Sequence, residues 1–221
     1  MNQGKTTSAG GHMSQTLSMV QVALFAALII LMAFTPFLGY IPLGFTRATI
    51  IHIPVIIGCL MLGPKQGAIL GFIFGLTSLI NNTVNPTATS FVFSPFYELG
   101  ELHGGLGSVV ICFIPRILVG IVPYYVYHAV RRMIRREGIG QTAALALAGV
   151  CGALTNTLLV MNLIFVFFRD AYASANNVAS EAVYGFILSI IGINGVPEAI
   201  VAGILVTLIG RILLKTKYAI H

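Results

Sequence analysis

Several charged and amide side chains lie deep inside apolar sequence, where they can bind a solute or a partner. Arg116 stands about eight residues into one apolar run, roughly 12 Å from its start at the α-helical rise. Asn162 lies a similar distance before Asp170. Glu198 stands about thirteen residues, roughly 20 Å, before Arg211. Asn81, Asn82 and Asn85 cluster at the end of one apolar run, and Arg47 sits at the start of another. Burying such groups in hydrocarbon is costly, so polar side chains inside a membrane segment point to a functional site. Projected on the chain they fall in one half of the spans, as a cationic, amide-rich cavity suited to a small anionic, hydroxylated solute. Each also has a plainer role. Arg116 and Glu198 can form a structural ion pair. Glu198, directly after Pro197, can sit at a helix start, where the macrodipole favours a carboxylate. Arg47 can snorkel to the headgroups, and the asparagines can cap helix ends or turns.

Catalytic motifs are missing from the sequence. It has no HExxH pair for an intramembrane metalloprotease and no GxSxG for a serine hydrolase. Glu98, Glu101 and His103 lie together but without a second histidine cluster. Gly104, Gly105 and Gly107 lack the Gly-Lys-Ser/Thr of a phosphate-binding loop, so any ATP used must be hydrolysed by another subunit. Cys59, Cys112 and Cys151 lie in apolar stretches without metal-ligand spacing and read as small core residues. No cofactor or metal is expected.

The elements that must position these groups are membrane helices. Of 221 residues, 57% are hydrophobic and 8% charged, and the mean hydropathy is +0.95. Soluble domains carry about 25% charged residues, so a cytosolic enzyme, a secreted disulfide scaffold and a disordered chain are all excluded. The fold class is therefore all-α integral membrane, a six-transmembrane-helix bundle. Its spans are expected over 17–34, 46–62, 67–80, 108–130, 142–168 and 182–214, with a kink or break near Pro197 where a backbone donor is lost. Lys65, Arg131, Arg132, Arg135, Arg136, Arg211, Lys215 and Lys217 collect on one side. Glu98, Glu101, Asp170 and Glu181, with Arg169, collect on the other. By the positive-inside rule the bundle is N-in and C-in. The net charge of +6 is thus a topology signal and not a nucleic-acid footprint.

Connections on the basic side are short, as at Gly63-Pro64-Lys65-Gln66. The outer loop over 81–107 is long and carries Phe91, Phe93, Phe96 and Tyr97, which favours a packed lid over disorder. Gly104-Gly105-Leu106-Gly107 would be its hinge. Residues 1–12 are polar and end at Gly11-His12-Met13, like a cloning junction. They read as an expression leader before a single membrane domain over 13–221. In the first span, Ala23 and Ala27 stand one turn apart, a small-residue face that lets another helix approach closely in lipid.

Four stretches carry a family resemblance. They are Ala33-Phe34-Thr35-Pro36-Phe37-Leu38-Gly39-Tyr40-Ile41-Pro42-Leu43-Gly44, Leu62-Gly63-Pro64-Lys65-Gln66-Gly67-Ala68, Gly75-Leu76-Thr77-Ser78-Leu79-Ile80-Asn81-Asn82 and Phe91-Val92-Phe93-Ser94-Pro95. With the AxxxA face and no nucleotide site, the chain resembles the substrate-binding S component of an energy-coupling factor (ECF) vitamin transporter, most nearly the pantothenate-type members. The resemblance implies vitamin capture from outside a bacterial cell membrane under closing outer loops. It also implies association with a transmembrane coupling protein and two ATPase subunits, rotation in the membrane, and docking of the coupling protein on Ala23 and Ala27. For a pantothenate-like cargo, Arg47 or Arg116 would pair with the carboxylate. Asn81, Asn82, Asn85, Asn162 and Glu198 would address amide and hydroxyl groups, and Phe91, Phe93 and Tyr97 would cover the apolar part. Riboflavin or folate are the other cargoes considered. An autonomous secondary transporter and an intramembrane enzyme are the other classes. Two related halves would favour the former, and the sequence has no convincing internal repeat.

Overall fold

A computed structural model of the chain describes residues 9–35, 39–42, 47–100, 102–136 and 138–214. The first helix, α1 (Ala9–Phe34), is apolar nearly all round. It packs little of its surface, leaving Met19, Val20, Leu24 and Leu31 exposed as lipid-facing side chains. A short antiparallel hairpin follows, β1 (Tyr40–Pro42) with β2 (Arg47–Thr49), in the register Tyr40↔Thr49, Ile41↔Ala48 and Pro42↔Arg47. Then come α2 (His52–Leu62) and α3 (Pro64–Val84).

The second expected span is corrected here. Residues 47–49 are strand, and the helix that follows has 11 residues. At 1.5 Å per residue it reaches about 17 Å, against a hydrocarbon core of about 30 Å. Proline and glycine at 36, 39, 42 and 44 disfavour helix before it, and β-branched Thr49, Ile50 and Ile51 suit the extended strand and the turn. All of α2 is buried, so it forms the centre of the bundle beneath the hairpin. The turn from α2 to α3 is as tight as the sequence implies. Gly63 alone separates the helices at φ 93°, a conformation that favours glycine, and Pro64 opens α3.

Beyond α3 the outer loop is folded. It holds a 3-10 turn at Ser90–Val92 and a small hairpin, β3 (Glu98–Leu99) with β4 (Leu102–His103). Three serines tie it to the helices. Ser90 Oγ donates to Asn82 Oδ1 at 2.9 Å, Ser94 Oγ meets Thr83 Oγ1 at 2.7 Å, and Ser108 Oγ donates to the Phe91 carbonyl at 2.7 Å. At Gly104, a Cβ would collide with the Ser94 carbonyl, so this glycine serves close packing.

The next membrane stretch is α4 (Leu106–Val119) and α5 (Val122–Met133), broken at Gly120 with Pro123 in the first turn of α5. α6 (Ile139–Ala175) is 37 residues long and departs from helical geometry at Phe168, where the fifth span was expected to end. The last stretch is α7 (Val183–Ile190), a π-helical segment at Ile191–Gly195, and α8 (Val196–Leu213). The interruption expected near Pro197 thus takes the form of a π-bulge, a feature frequent at functional sites.

Among the described residues five stretches, Gln15–Phe34, Pro64–Val84, Leu106–Met133, Ile139–Ala175 and Val183–Leu213, are long and apolar enough to cross a membrane, and α2 is a shorter apolar helix. The fold is that of a multi-pass membrane protein built almost wholly from helices, with two short hairpins outside them. Small residues draw the helices together. On α3, Gly67, Gly71 and Gly75 recur every fourth residue against Gly120, Arg116 and Cys112, so that backbone meets backbone. On α6, Gly149 faces Ala202 and Gly203 of α8 in the same way. One apolar core surrounds α2. A second, around Phe91, Ile111, Ile164, Tyr172 and Ile187, lies under the outer loop.

Candidate functional site

Between the two cores lies a cavity of about 480 Å³, within the ~300–1,000 Å³ usual for small-molecule sites. The face of α3 that lines it carries Phe74, Ser78, Asn81, Asn82 and Asn85, spaced as one helical stripe. From α6 come Asn156, Thr157, Val160, Met161, Ile164 and Tyr172. Arg116 enters from α4, Asn194 from the π segment, Glu198 from α8, and Thr49 from β2. Thr87, Thr89 and Phe93 of the outer loop complete the wall.

Arg116 is 6% exposed, and the surroundings of its guanidinium are specific. Nη1 donates to the Ile111 carbonyl at 2.7 Å and Nη2 to Ser78 Oγ at 3.4 Å. Its Cζ lies 5.6 Å from the ring centre of Phe74 and 5.3 Å from that of Phe93, both within cation–π range. A cation this buried is tolerated only with such partners. Glu198 is buried as well. Oε1 accepts the Thr49 backbone N–H at 2.6 Å and Oε2 accepts the Thr157 hydroxyl at 3.3 Å. Its two oxygens therefore join α8 to the hairpin and to α6. The alternative of a helix-start carboxylate is partly realised, since Glu198 lies in the first turn of α8.

Two amide oxygens differ from these. Asn156 Oδ1 and Asn194 Oδ1 are buried and have no hydrogen-bond partner among the described residues. Buried acceptors in folded proteins are nearly always satisfied, by protein or by ordered water, so these two, on the cavity wall, can take donors from whatever fills the cavity. The cavity thus combines a fixed guanidinium, two waiting acceptors, hydroxyls at Ser78 and Thr157, and an apolar side at Val160, Met161 and Ile164.

Of the residues singled out in the sequence, the fold gathers Asn81, Asn82, Asn85, Phe93, Arg116 and Glu198 around this cavity. Their roles differ: Asn82 is taken up by Ser78 O and Ser90 Oγ, whereas Asn81 accepts from Asn85 Nδ2 at 3.1 Å near the surface. Phe91 is fully buried beneath the wall, edge-on to Phe168 at 5.9 Å. Tyr97 packs against the same second core. Asn162 stands apart, exposed, with Nδ2 on the Leu158 carbonyl at 2.7 Å. Arg47 belongs to β2 by its backbone, and its side chain lies outside the described residues. Ala23 and Ala27 are exposed on α1. Asn156, Thr157 and Asn194 were missed. A polar Asn-Thr pair inside the fifth apolar run, and an asparagine inside the Gly192–Pro197 break, were the available signals.

A multi-pass helical bundle that holds a polar, solute-sized cavity between its spans is a membrane protein built to bind a small molecule. The chain belongs to the ECF transporter family, substrate-specific component, whose description matches residues 17–210. It is 38% identical to the pantothenic acid transporter PanT of Lactococcus lactis subsp. cremoris over 193 residues, 87% of this chain and 90% of that one. It is 30% identical to the pantothenate transporter PanT of Leuconostoc mesenteroides subsp. mesenteroides over 210 residues, 90% and 93% of the two chains. It is a transporter component and not an enzyme.

Proposed function

We propose that the cavity binds pantothenate from the outer side of a bacterial cell membrane, as the vitamin-capturing subunit of an ATP-driven importer. The observation that carries this is the pairing of one framed guanidinium, Arg116, with the partnerless amide oxygens of Asn156 and Asn194. Pantothenate brings one carboxylate, an amide and two hydroxyls on a compact branched body. The carboxylate goes to Arg116, a hydroxyl or the amide N–H to Asn156 and Asn194, and the dimethyl end to Val160, Met161 and Ile164. Riboflavin and folate fit less well. A flat ring system needs a stacking platform, and of the three aromatic rings described on the wall Phe74 and Phe93 are directed at Arg116 while Tyr172 packs against Phe186 at 6.3 Å. The names of the two relatives agree with this choice.

In this reading α2 and the β1–β2 hairpin above it together make the second of six crossings, and both termini face the cytoplasm. Lys65, Arg131, Arg132, Arg135, Arg136 and Arg211 then fall at helix ends on the inner side. The exposed small-residue face at Ala23 and Ala27 receives the coupling protein, and two ATPase subunits supply the energy. Isothermal titration of the purified protein with pantothenate, its alcohol analogue pantothenol, riboflavin and folate is the test. Stoichiometric binding of pantothenate alone, or well ahead of pantothenol, is expected. Preference for riboflavin or folate overturns the cargo. In proteoliposomes, uptake should need the coupling protein, the ATPases and ATP; uptake driven by an ion gradient without them would make the chain a secondary transporter.

A further inference from the structure

The residue beside Arg116 is the one whose backbone makes the arginine's position possible. In a regular helix, the N–H of residue 115 would donate to the carbonyl of residue 111. Residue 115 is Pro115, inside α4, and proline has no N–H to give. The Ile111 carbonyl, released from that bond, is the one that accepts Arg116 Nη1 at 2.7 Å. Ile111 is fully buried, so its carbonyl lies away from solvent and lipid headgroups, where a lone acceptor is costly. Helical side chains lean toward the helix N-terminus. An arginine one residue after the proline therefore reaches back over the turn that the proline has opened. Ser78 then holds Nη2 from α3, and the Phe74 and Phe93 rings lie within cation–π range of the guanidinium.

We propose that Pro115 is a positioning residue for ligand binding, acting by freeing the Ile111 carbonyl to fix the Arg116 guanidinium at the cavity wall. This rests on the assignment of Arg116 to the pantothenate carboxylate. The carbonyl holds one edge of the guanidinium in place before the ligand arrives, so less ordering is left for the binding step. Replacing Pro115 by alanine restores a competing N–H, which draws the carbonyl back into line with the helix axis and leaves it to be shared with the guanidinium. The arginine keeps its charge and is held less firmly.

The consequences of such a change run opposite to those of ordinary damage. Pro115→Ala removes a helix-interior proline, so thermal stability in detergent is expected to stay level or rise. Pantothenate affinity is expected to fall about tenfold, while pantothenol, which lacks the carboxylate, binds within about twofold of its affinity for the unaltered protein. In an Arg116→Ala background, adding Pro115→Ala has no further effect on pantothenate affinity. Titration calorimetry on the four proteins with both ligands, alongside thermal unfolding, reads all of this. The proposal is overturned if Pro115→Ala binds pantothenate normally while Arg116→Ala does not. It is equally overturned if Pro115→Ala weakens both ligands alike and lowers the melting temperature, the mark of a purely structural proline. If Arg116→Ala itself binds normally, the carboxylate assignment fails, and this proposal fails with it.

Discussion

At the scale of single residues, the site separates side chains that are already committed from those that wait. Asn82 and Glu198 have their polar atoms engaged by the protein, whereas the Asn156 and Asn194 oxygens have no protein partner among the described residues and, in the proposed reading, accept from the ligand. Asn156→Leu keeps the branched shape and deletes an acceptor, so pantothenate affinity should fall roughly 2- to 10-fold, the worth of one neutral hydrogen bond. Asn162→Leu, on the same helix, should leave affinity unchanged, and titration calorimetry on the pair checks both. A fall at Asn162 equal to that at Asn156 would place the binding face of α6 wrongly. The contrast also shows what sequence could and could not reveal. Depth along a span is legible from a count of residues, and by depth Asn162 qualifies. Azimuth is not, until one member of the face is known. Once Asn156 marks the cavity side, six further residues at about 100° each put Asn162 about 120° round the helix. For Arg116 the plain apolar context of α4 was enough.

The elements bring these residues together through two devices, close glycine contacts and proline breaks. Arg116 and Glu198 each directly follow a proline, and each span departs from a regular ladder there. In α4 the arginine itself takes the freed carbonyl, and the last span winds into a π segment that carries Asn194 to the cavity. The break at Pro197 was readable from the sequence; that it would be a π-bulge was not, and a Cβ at Gly195 would press on Thr157 of α6. The shortness of α2 was not readable from hydropathy, because Thr46 to Leu62 is apolar enough for either a helix or a strand followed by a helix. The glycine stripe on α3 yields a sharper test. A side chain at Gly71 would meet the Arg116 carbonyl and the Ile117 Cα, so Gly71→Leu must part α3 from α4. Stability should drop by about 1–3 kcal/mol, as for other overpacked cores, and pantothenate affinity should fall with it because Ser78 moves away from Arg116. At Gly185 on α7, a Cβ meets nothing within 4 Å. Gly185→Ala should therefore be neutral or stabilising by about 0.5–1 kcal/mol, with binding unchanged. Thermal unfolding of both variants decides whether backbone contact or mere glycine content holds the bundle.

For the whole molecule, binding and delivery fall to different surfaces. The cavity is lined from α3, α4, α6, the end of α7 at Ile190, the π segment and α8, with β2 and the outer loop. Among the described residues α1 contributes nothing to that lining, and its outward side, from Met19 through Leu24 to Leu31, is a broad apolar face with Ala23 and Ala27 in it. In lipid such a face gains little from hydrophobic burial, since the acyl chains are as apolar as leucine. What small residues add there is close approach and dispersion contact with a neighbouring helix. If α1 is where the coupling protein docks, bulk at those two positions should separate the two activities. The double variant Ala23→Leu with Ala27→Leu should bind pantothenate with unchanged affinity and unfold at an unchanged temperature, since both side chains point away from the bundle. The same variant should fail to co-purify with the coupling protein and the ATPases, and in proteoliposomes with that module its ATP-dependent uptake should fall at least about tenfold, the effect of losing about 1.4 kcal/mol at the contact. Leucine in place of alanine adds no charge and no polar group, so such a loss would have no route but the steric one. Full uptake by the double variant would move the docking surface off this face of α1, while leaving the cavity and its ligand untouched.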